Sequence, residues 1–289
     1  MSETDDARMR EKEAKLRDSL QAMARIAVAF SGGTDSAYLL AACVDAVGVD
    51  RVVAYTVDSP LLPRDELDRA RRVAKHIGAR HRVLPMDELA LPEIVANDAQ
   101  RCYYCKRYRF AELRALLAEV GNKAELIHGE NADDGDDYRP GARAARELGV
   151  RAPLAEAGLN KAEIRVLSRQ RGLETWDLPA AACLASRVPY GTPLSVEALK
   201  RIQAAETAVL CLTDVRRVRV RDHFPLARIE VSAESVSDLS RQPVRERIVE
   251  ALQRLGYRYV TLDLEGYRMG SLNDELGTAE QASASEQRI

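Results

Sequence analysis

The sequence predicts an α/β protein, a parallel sheet with helices on both faces, followed by a smaller α+β domain. Three observations lead there. Short apolar runs alternate with amphipathic segments of helical period through residues 25–180, the signature of βαβ units. A Ser-Gly-Gly turn joins the first apolar run to the first apolar helix. Past Leu178 the order changes to one helix, two β-rich runs, a helix and a last β-rich run, which reads as an α+β domain with an antiparallel hairpin.

Taken in order, residues 1–24 alternate Glu, Arg and Lys with little apolar content and predict a separate solvated helical segment. Ile26–Phe30 is the first strand, and Asp35–Val47 is a helix that Gly48 stops. Arg51–Val57 is the second strand, and Pro63 suits the first turn of a helix over Arg64–Ile77. His81–Leu84 and Leu126–Gly129 are further strands, with helical segments at Glu88–Ala96 and Tyr108–Val120. Asn160, with Glu163 three residues on, is a capping box opening a helix that runs to Arg171. Leu178–Pro193 carries three prolines and predicts no regular element. Beyond it come a helix (Ser195–Leu210), strands (Val215–Arg221, Leu226–Val231), a helix (Val244–Leu255) and a strand (Tyr259–Leu264). The expected organisation is a helical segment (1–24), an α/β domain (25–180), a C-terminal domain (181–274) and a polar, disordered tail (275–289).

Composition narrows the function. In 289 residues, 43 Lys and Arg face 45 Asp and Glu, a net charge of −2, and aromatics are 5%. That balance argues against a general nucleic-acid binder. No apolar run approaches the roughly 18 residues of a membrane span, and the charged N-terminus lacks a signal peptide's apolar stretch, so a cytoplasmic protein without membrane or nucleic-acid partners is expected. Five cysteines are too few for a disulfide scaffold.

The first strand runs into Ser31-Gly32-Gly33-Thr34-Asp35-Ser36 and then a helix. The glycines allow close backbone approach, the amides at the helix start form an anion site, and Ser31, Thr34 and Ser36 add hydroxyls. Asp35 is placed to hold or orient Mg²⁺. No Gly-Lys-Ser/Thr follows, so this is not a Walker loop, and no dinucleotide fingerprint is present. The segment resembles the PP-loop ATP pyrophosphatases, whose signature is Ser-Gly-Gly-x-Asp-Ser. That resemblance implies cleavage of ATP between its α- and β-phosphates and adenylation of a carbonyl or carboxylate oxygen. It also implies a nucleotide base beyond the second strand, near Asp58. Asn131-Ala132-Asp133-Asp134 follows the strand ending near Gly129, at the sheet edge where open α/β folds bind ligands, so Asp133 or Asp134 is a second candidate for Mg²⁺.

Cys43 and Cys211 fall on apolar faces of predicted helices and read as core. Cys102-Tyr103-Tyr104-Cys105 leaves three readings open: a redox pair, half a zinc site or part of an iron–sulfur site. Zinc needs further ligands, and none of the four histidines has a telling spacing to these cysteines. With Cys183, three thiols would suit a [4Fe–4S] cluster with one iron free to carry an extra sulfide, the nucleophile an adenylating site lacks.

At these residues the chain resembles the LarE family of ATP-dependent sulfur transferases, which act in nickel-pincer nucleotide biosynthesis. The matching segments are Phe30 to Ser36, Arg101 to Lys106, Asn131 to Asp134, Asp137 to Gly141, Pro179 to Thr192, Arg219 to Arg221, Ala227 to Glu230 and Asp263 to Ser271. The resemblance implies adenylation of a carboxylate of pyridinium-3,5-biscarboxylic acid mononucleotide and its conversion to a thiocarboxylate. One branch of the family sacrifices the sulfur at the position of Cys183. A second branch carries three cysteines and a [4Fe–4S] cluster, and the chain has all three at Cys102, Cys105 and Cys183. The resemblance also implies a homohexamer, built as a dimer of trimers, and leaves the sulfide source open.

Arg219 and Arg221 lie two apart on a predicted strand, hence on one face, where two guanidiniums suit a nucleotide phosphate. Ser186 is grouped with the substrate residues. Arg187 is placed to hold AMP phosphate or substrate carboxylate, and Glu230 to bind a metal or position an arginine. Three other readings compete: tRNA thiolation, amide formation with ammonia, and a non-catalytic ATP-binding iron–sulfur or zinc sensor. Amide formation leaves the cysteines without a task, and tRNA thiolation calls for a basic surface that the charge balance does not favour.

Overall fold

The structure, a computed structural model, describes residues 3–119, 123–135, 140–179 and 181–268. Most of Asp137–Gly141 and the expected tail therefore lie outside the described residues. In chain order the elements are α1 (Glu3–Gln21), β1 (Ile26–Ala29), α2 (Thr34–Val47), β2 (Val52–Asp58), α3 (Arg64–Ile77), β3 (Arg80–Pro85) and α4 (Pro92–Val95). Then follow α5 (Arg101–Glu119), β4 (Glu125–His128), α6 (Pro140–Glu147), α7 (Pro153–Glu156), α8 (Lys161–Gln170) and α9 (Val196–Leu212). The chain closes with β5 (Arg219–His223), β6 (Leu226–Glu230), α10 (Val236–Ser240), α11 (Val244–Arg254) and β7 (Tyr259–Leu262). These elements divide into two units, Met1–Glu88 with Cys102–Ala181, and Leu89–Arg101 with Ala182–Ile289.

The first unit holds a four-stranded parallel sheet of order β3-β2-β1-β4. Its central strand, Ile-Ala-Val-Ala, is apolar throughout because both faces are covered. Ile26 and Val28 join the core formed with α1, α2 and α8, while Ala27 joins Phe110, Leu113 and Leu117 of α5 on the other face. The chain builds β1, β2 and β3 outward in one direction and then places β4 on β1's opposite side. The strand order therefore reverses between β1 and β4, the point at whose carboxyl ends open α/β sheets form their ligand crevice.

Helix α1 is not the separate solvated segment expected. Met9, Leu16 and Leu20 are buried in the main core, Lys12 pairs with Glu163 at 2.7 Å, and Glu13 accepts from Tyr38 at 3.1 Å and from Arg171 at 3.0 Å. Three apolar residues on one face suffice to dock a helix whose remaining surface is charged. The capping box forms as predicted: Asn160 Oδ1 accepts from Glu163 N and Glu163 Oε2 from Asn160 N, both at 2.9 Å.

The second unit contains a three-stranded sheet of order β5-β6-β7, with β5 and β6 antiparallel and β6 and β7 parallel. Helices α9 and α11 supply Ala205, Val209, Ile248 and Leu252 to its core. Cys211 is exposed, contrary to the core position expected. The buried stripe of α9 runs through Leu199, Ile202, Ala205 and Val209, and a residue two beyond Val209 points to the opposite side. Among the described residues no helix is long and apolar enough to cross a membrane.

Candidate active site

The phosphate loop sits where β1 meets the crevice. Gly32 adopts φ +73°, and a Cβ there would stand 2.7 Å from the Cα of Ala70 on α3, so glycine is required twice over. Gly33 caps α2 without any side-chain bond, leaving the first amides of the helix for an anion. Ser31 Oγ and Ser36 Oγ lie 3.0 Å apart, and Ser31 Oγ also accepts from Gly33 N at 3.3 Å, which holds the turn closed. Thr34 points away from it, donating to Thr175 O at 2.7 Å. Across the crevice, a Cβ on Gly129 would come within 2.9 Å of Ser36 N, so the loop after β4 lies directly on the phosphate loop.

Two acidic groups meet at this point. Asp35 Oδ2 accepts from Lys161 Nζ at 2.6 Å, while its buried Oδ1 makes no close hydrogen bond among the described residues and the Asn131 side chain stands near the carboxylate. Burial pushes the Asp35 carboxyl up, Lys161 draws it back down, and the nearby Asp134 adds an upward push. Asp134 Oδ2 accepts from Asn131 N at 3.0 Å. Exposed Asp133 accepts from the Lys161 amide at 2.9 Å, which gives it a share in anchoring α8. An orphaned carboxylate oxygen beside a second carboxylate fits a hard divalent cation that takes its remaining ligands from phosphates and water. Among the described residues no three His, Cys, Asp or Glu side chains form a metal cage. Lys161 was not singled out in the sequence, where nothing near it suggests a reach to Asp35. Asp58, at the end of β2, is held by Arg64 at 2.5 Å.

His128 closes β4 beneath Glu130 and against the Phe110 ring. Burial, reinforced by the charge of Lys106, lowers its pKa to about 3, although Glu130 Oε2 lies 3.7 Å from Nε2. It is therefore neutral in the fold, whereas the unfolded chain protonates it near 6.5. Stability present above that value is lost as pH falls toward the folded pKa. Between pH 7.5 and 5.5 this residue should cost about 1.4 kcal/mol, and His128→Asn should flatten that part of the slope in urea midpoints.

The cysteines divide by environment, and none is in a disulfide. Cys43 is buried, and burial pushes its thiol well up. Cys102 and Cys105 occupy the first turns of α5, three residues apart and so on neighbouring positions of one helix side. Cys105 donates to Glu88 Oε1 at 3.2 Å, and the same oxygen accepts from Arg109 Nε. Glu88 is fully buried, and its Oε2 has no hydrogen-bond partner among the described residues. The sequence marks Glu88 only as the start of a helical segment, and the fold alone brings its carboxylate to α5.

In the second unit, Cys183 precedes a single turn of 3-10 helix, Leu184–Arg187. Ser186 Oγ donates to Cys183 O at 2.8 Å. Arg187, only 1% exposed, donates to Ala182 O at 2.5 Å and Cys183 O at 2.9 Å, and it grips both oxygens of Glu206 at 2.9 and 3.0 Å. Arg221 donates to Ser186 O at 2.5 Å and binds both oxygens of Glu230 at 2.8 and 2.7 Å. The expected pair of open arginines is thus not what the fold presents. Arg187 and Arg221 are engaged by Glu206 and Glu230 and hold the cysteine loop. Arg219 donates to Val218 O at 3.1 Å, stands 4.0 Å from a Glu206 oxygen and lies 5.8 Å from the Tyr267 ring centre. Burial, with the charge of Arg187, lowers its pKa, so an anion at Arg219 would relieve an unfavourable position. Of the two carboxylates, Glu206 carries no motif that would have revealed it.

Comparison with known proteins places this geometry. The asparagine synthase family matches residues 13–103. An uncharacterized protein of Synechocystis is 41% identical over 258 residues, covering 89% of this chain and 95% of its own. A pyridinium-3,5-bisthiocarboxylic acid mononucleotide synthase of Lactiplantibacillus plantarum is 37% identical over 272 residues, covering 94% and 97%. The chain belongs to this synthase family, the LarE family. An NH(3)-dependent NAD(+) synthetase of Hyperthermus butylicus is 28% identical over 131 residues, covering 40% of this chain and 48% of its own. That partial likeness contrasts with the LarE-family relative, whose similarity spans nearly the whole of both chains.

Proposed function

We propose that this protein is an ATP-dependent sulfur transferase that converts a carboxylate of pyridinium-3,5-biscarboxylic acid mononucleotide to a thiocarboxylate, a step of nickel-pincer nucleotide biosynthesis. The observation that carries the reading is the phosphate loop, seated at the strand-order reversal with Asp35 and Asp134 beside it. The first two helical turns of α2 and the Ser31 and Ser36 hydroxyls bind the ATP phosphates. Asp35 and Asp134 would hold Mg²⁺, which would offset phosphate charge, with Asp133 in support through α8. Asp58 lies on the base side. A substrate carboxylate oxygen attacks the α-phosphorus, the bond to the β-phosphate breaks, and pyrophosphate leaves. The resulting acyl adenylate then takes sulfide at its carbonyl carbon and releases AMP.

Cys102, Cys105 and Cys183 are soft donors outside any disulfide, and each is at least partly exposed, which fits a [4Fe–4S] cluster bound by three thiolates. When bound, that group supplies the sulfide. Arg219 takes the substrate phosphate, with Arg187, Arg221, Ser186 and Glu230 shaping its surroundings. Residues 25–180 serve activation and residues 181–274 serve sulfur delivery and substrate binding. The protein works in the cytoplasm as a homohexamer, drawing on a sulfide donor of its host. A second reading keeps the reaction and makes Cys183 the sacrificed sulfur, supported by its partial exposure at the head of a fixed loop.

Pyrophosphate release, measured with the pyridinium dicarboxylate mononucleotide, with tRNA and with ammonia plus a carboxylate acceptor, tests the reading. Release confined to the first supports it, and release with tRNA or ammonia alone overturns it. Four irons per chain after anaerobic loading, lost in Cys102→Ala, supports the three-thiolate site. No iron, with one H₂S lost from the protein mass per turnover, moves the source to Cys183.

A further inference from the structure

Residues Leu89–Arg101 lie outside the α/β unit in the fold although they sit inside it in sequence. At their centre Asn97 is fully buried and left-handed, with φ 55°. Its Nδ2 faces Pro189 O at 2.8 Å, Thr192 O at 3.0 Å and Val188 O at 3.4 Å, so two protons are shared among three carbonyls. Its own carbonyl accepts from Gly191 N at 3.0 Å, and Val95 O accepts from Leu194 N at 2.9 Å. Arg101, also buried, donates to Asn97 Oδ1 and, at 3.1 Å, to Ala185 O. The guanidinium lies 5.6 Å from the Tyr190 ring centre. Together with Arg187 and Arg221, this engages the carbonyls of Ala182, Cys183, Ala185, Ser186, Val188, Pro189 and Thr192.

A loop with so many carbonyls bonded to a distant segment has little freedom of its own. We infer that Asn97 and Arg101 are positioning residues for Cys183, fixing the loop from which its sulfur is presented. Arg101 is also the residue joined by a peptide bond to Cys102, so one short segment both precedes the Cys-x-x-Cys pair and sets the Cys183 loop. The functional meaning rests on the role proposed above for Cys183, and the geometric claim is testable without it.

The chain carries its own controls, because Cys211 is exposed and Cys43 is buried. Asn97→Gly retains the left-handed backbone and removes only the side-chain bonds. Time-resolved maleimide labelling, read cysteine by cysteine by mass spectrometry, should show Cys183 accelerated about tenfold relative to Cys211 while Cys43 stays protected, the factor expected for loss of a buried hydrogen bond. Arg101→Lys keeps the charge, loses the forked contact and should act in the same direction. A Cys183-to-Cys211 ratio within about twofold of the parent in both variants overturns the inference. Loss of Cys43 protection alongside Cys183 in both variants also overturns it, by making the segment a general support of the fold. Thiocarboxylate formation should fall with pyrophosphate release preserved. Accelerated labelling without that fall would leave the geometry standing and remove the reacting role of Cys183.

Discussion

Cys183→Ala should release pyrophosphate at close to the parental rate while forming thiocarboxylate at least about 10³-fold more slowly, the size of loss seen when a reacting group itself is removed. The split follows from where the groups reside. The phosphate loop, Asp35, Asp134 and Lys161 belong to one unit and Cys183 to the other. Alanine removes the thiol without disturbing the carbonyl bonds, since Arg187, Arg221 and Ser186 all engage the backbone around this residue. Cys102→Ala and Cys105→Ala separate the two sulfur sources. Both should match Cys183→Ala if three thiolates are needed, and both should retain transfer if Cys183 alone gives up its sulfur. Single-turnover formation of thiocarboxylate, followed beside AMP and pyrophosphate, makes the comparison.

Gly32→Ala should lose pyrophosphate release by at least about 10²-fold, the scale expected when reacting groups shift by about 1 Å. Two effects combine there. The left-handed backbone costs a side-chain-bearing residue on the order of 1–3 kcal/mol, and the new methyl meets the backbone of Ala70 at 2.7 Å. Either α3 moves or the phosphate loop does, and the loop must keep its place for the ATP phosphates. Gly48→Ala is the matched control. It has φ +81° and nothing within 4 Å of its Cβ, so it carries the backbone strain without the collision. Its activity should be parental with a modest loss of stability, read as a urea midpoint beside pyrophosphate release.

How much of this could be read beforehand depended on whether the physics was local. The strand-turn-helix of β1 and α2, the helix opened by Asn160 and Glu163, and the helix behind Pro63 are fixed by neighbours in sequence, and all three formed as the residues indicate. Helix α5 begins at Arg101, well before the expected Tyr108, behind Asp98, whose Oδ1 accepts from Gln100 N at 2.8 Å. Docking of α1 hangs on three apolar residues spread over a charged helix, too sparse a stripe to register as amphipathic. In the site, the Ser-Gly-Gly-Thr-Asp-Ser loop announces itself through glycines. Lys161, Glu88, Glu206 and Asn97 each engage partners well separated in sequence, and residue type alone gives no sign of such a partner. Arg221 shows the same limit: its spacing to Arg219 is right for a phosphate clamp, but Glu230, paired with Arg219 in the antiparallel register, claims it first.

The displaced segment Leu89–Arg101 has a consequence for how the chain is made. Emerging from the ribosome, Asn97 and Arg101 have none of their carbonyl partners until the intervening residues 102–181 and the loop beyond them have been synthesised. At about 5–20 residues per second, that delay is on the order of 4–16 s. During it a short apolar stretch containing Ile94, buried in the finished fold, must wait exposed within a nascent α/β unit. A shortened chain ending at Ala181 would keep that stretch permanently unmatched. The α/β unit is therefore not separable by a single cut, and stable excision would require residues 89–101 to be replaced by a plain linker.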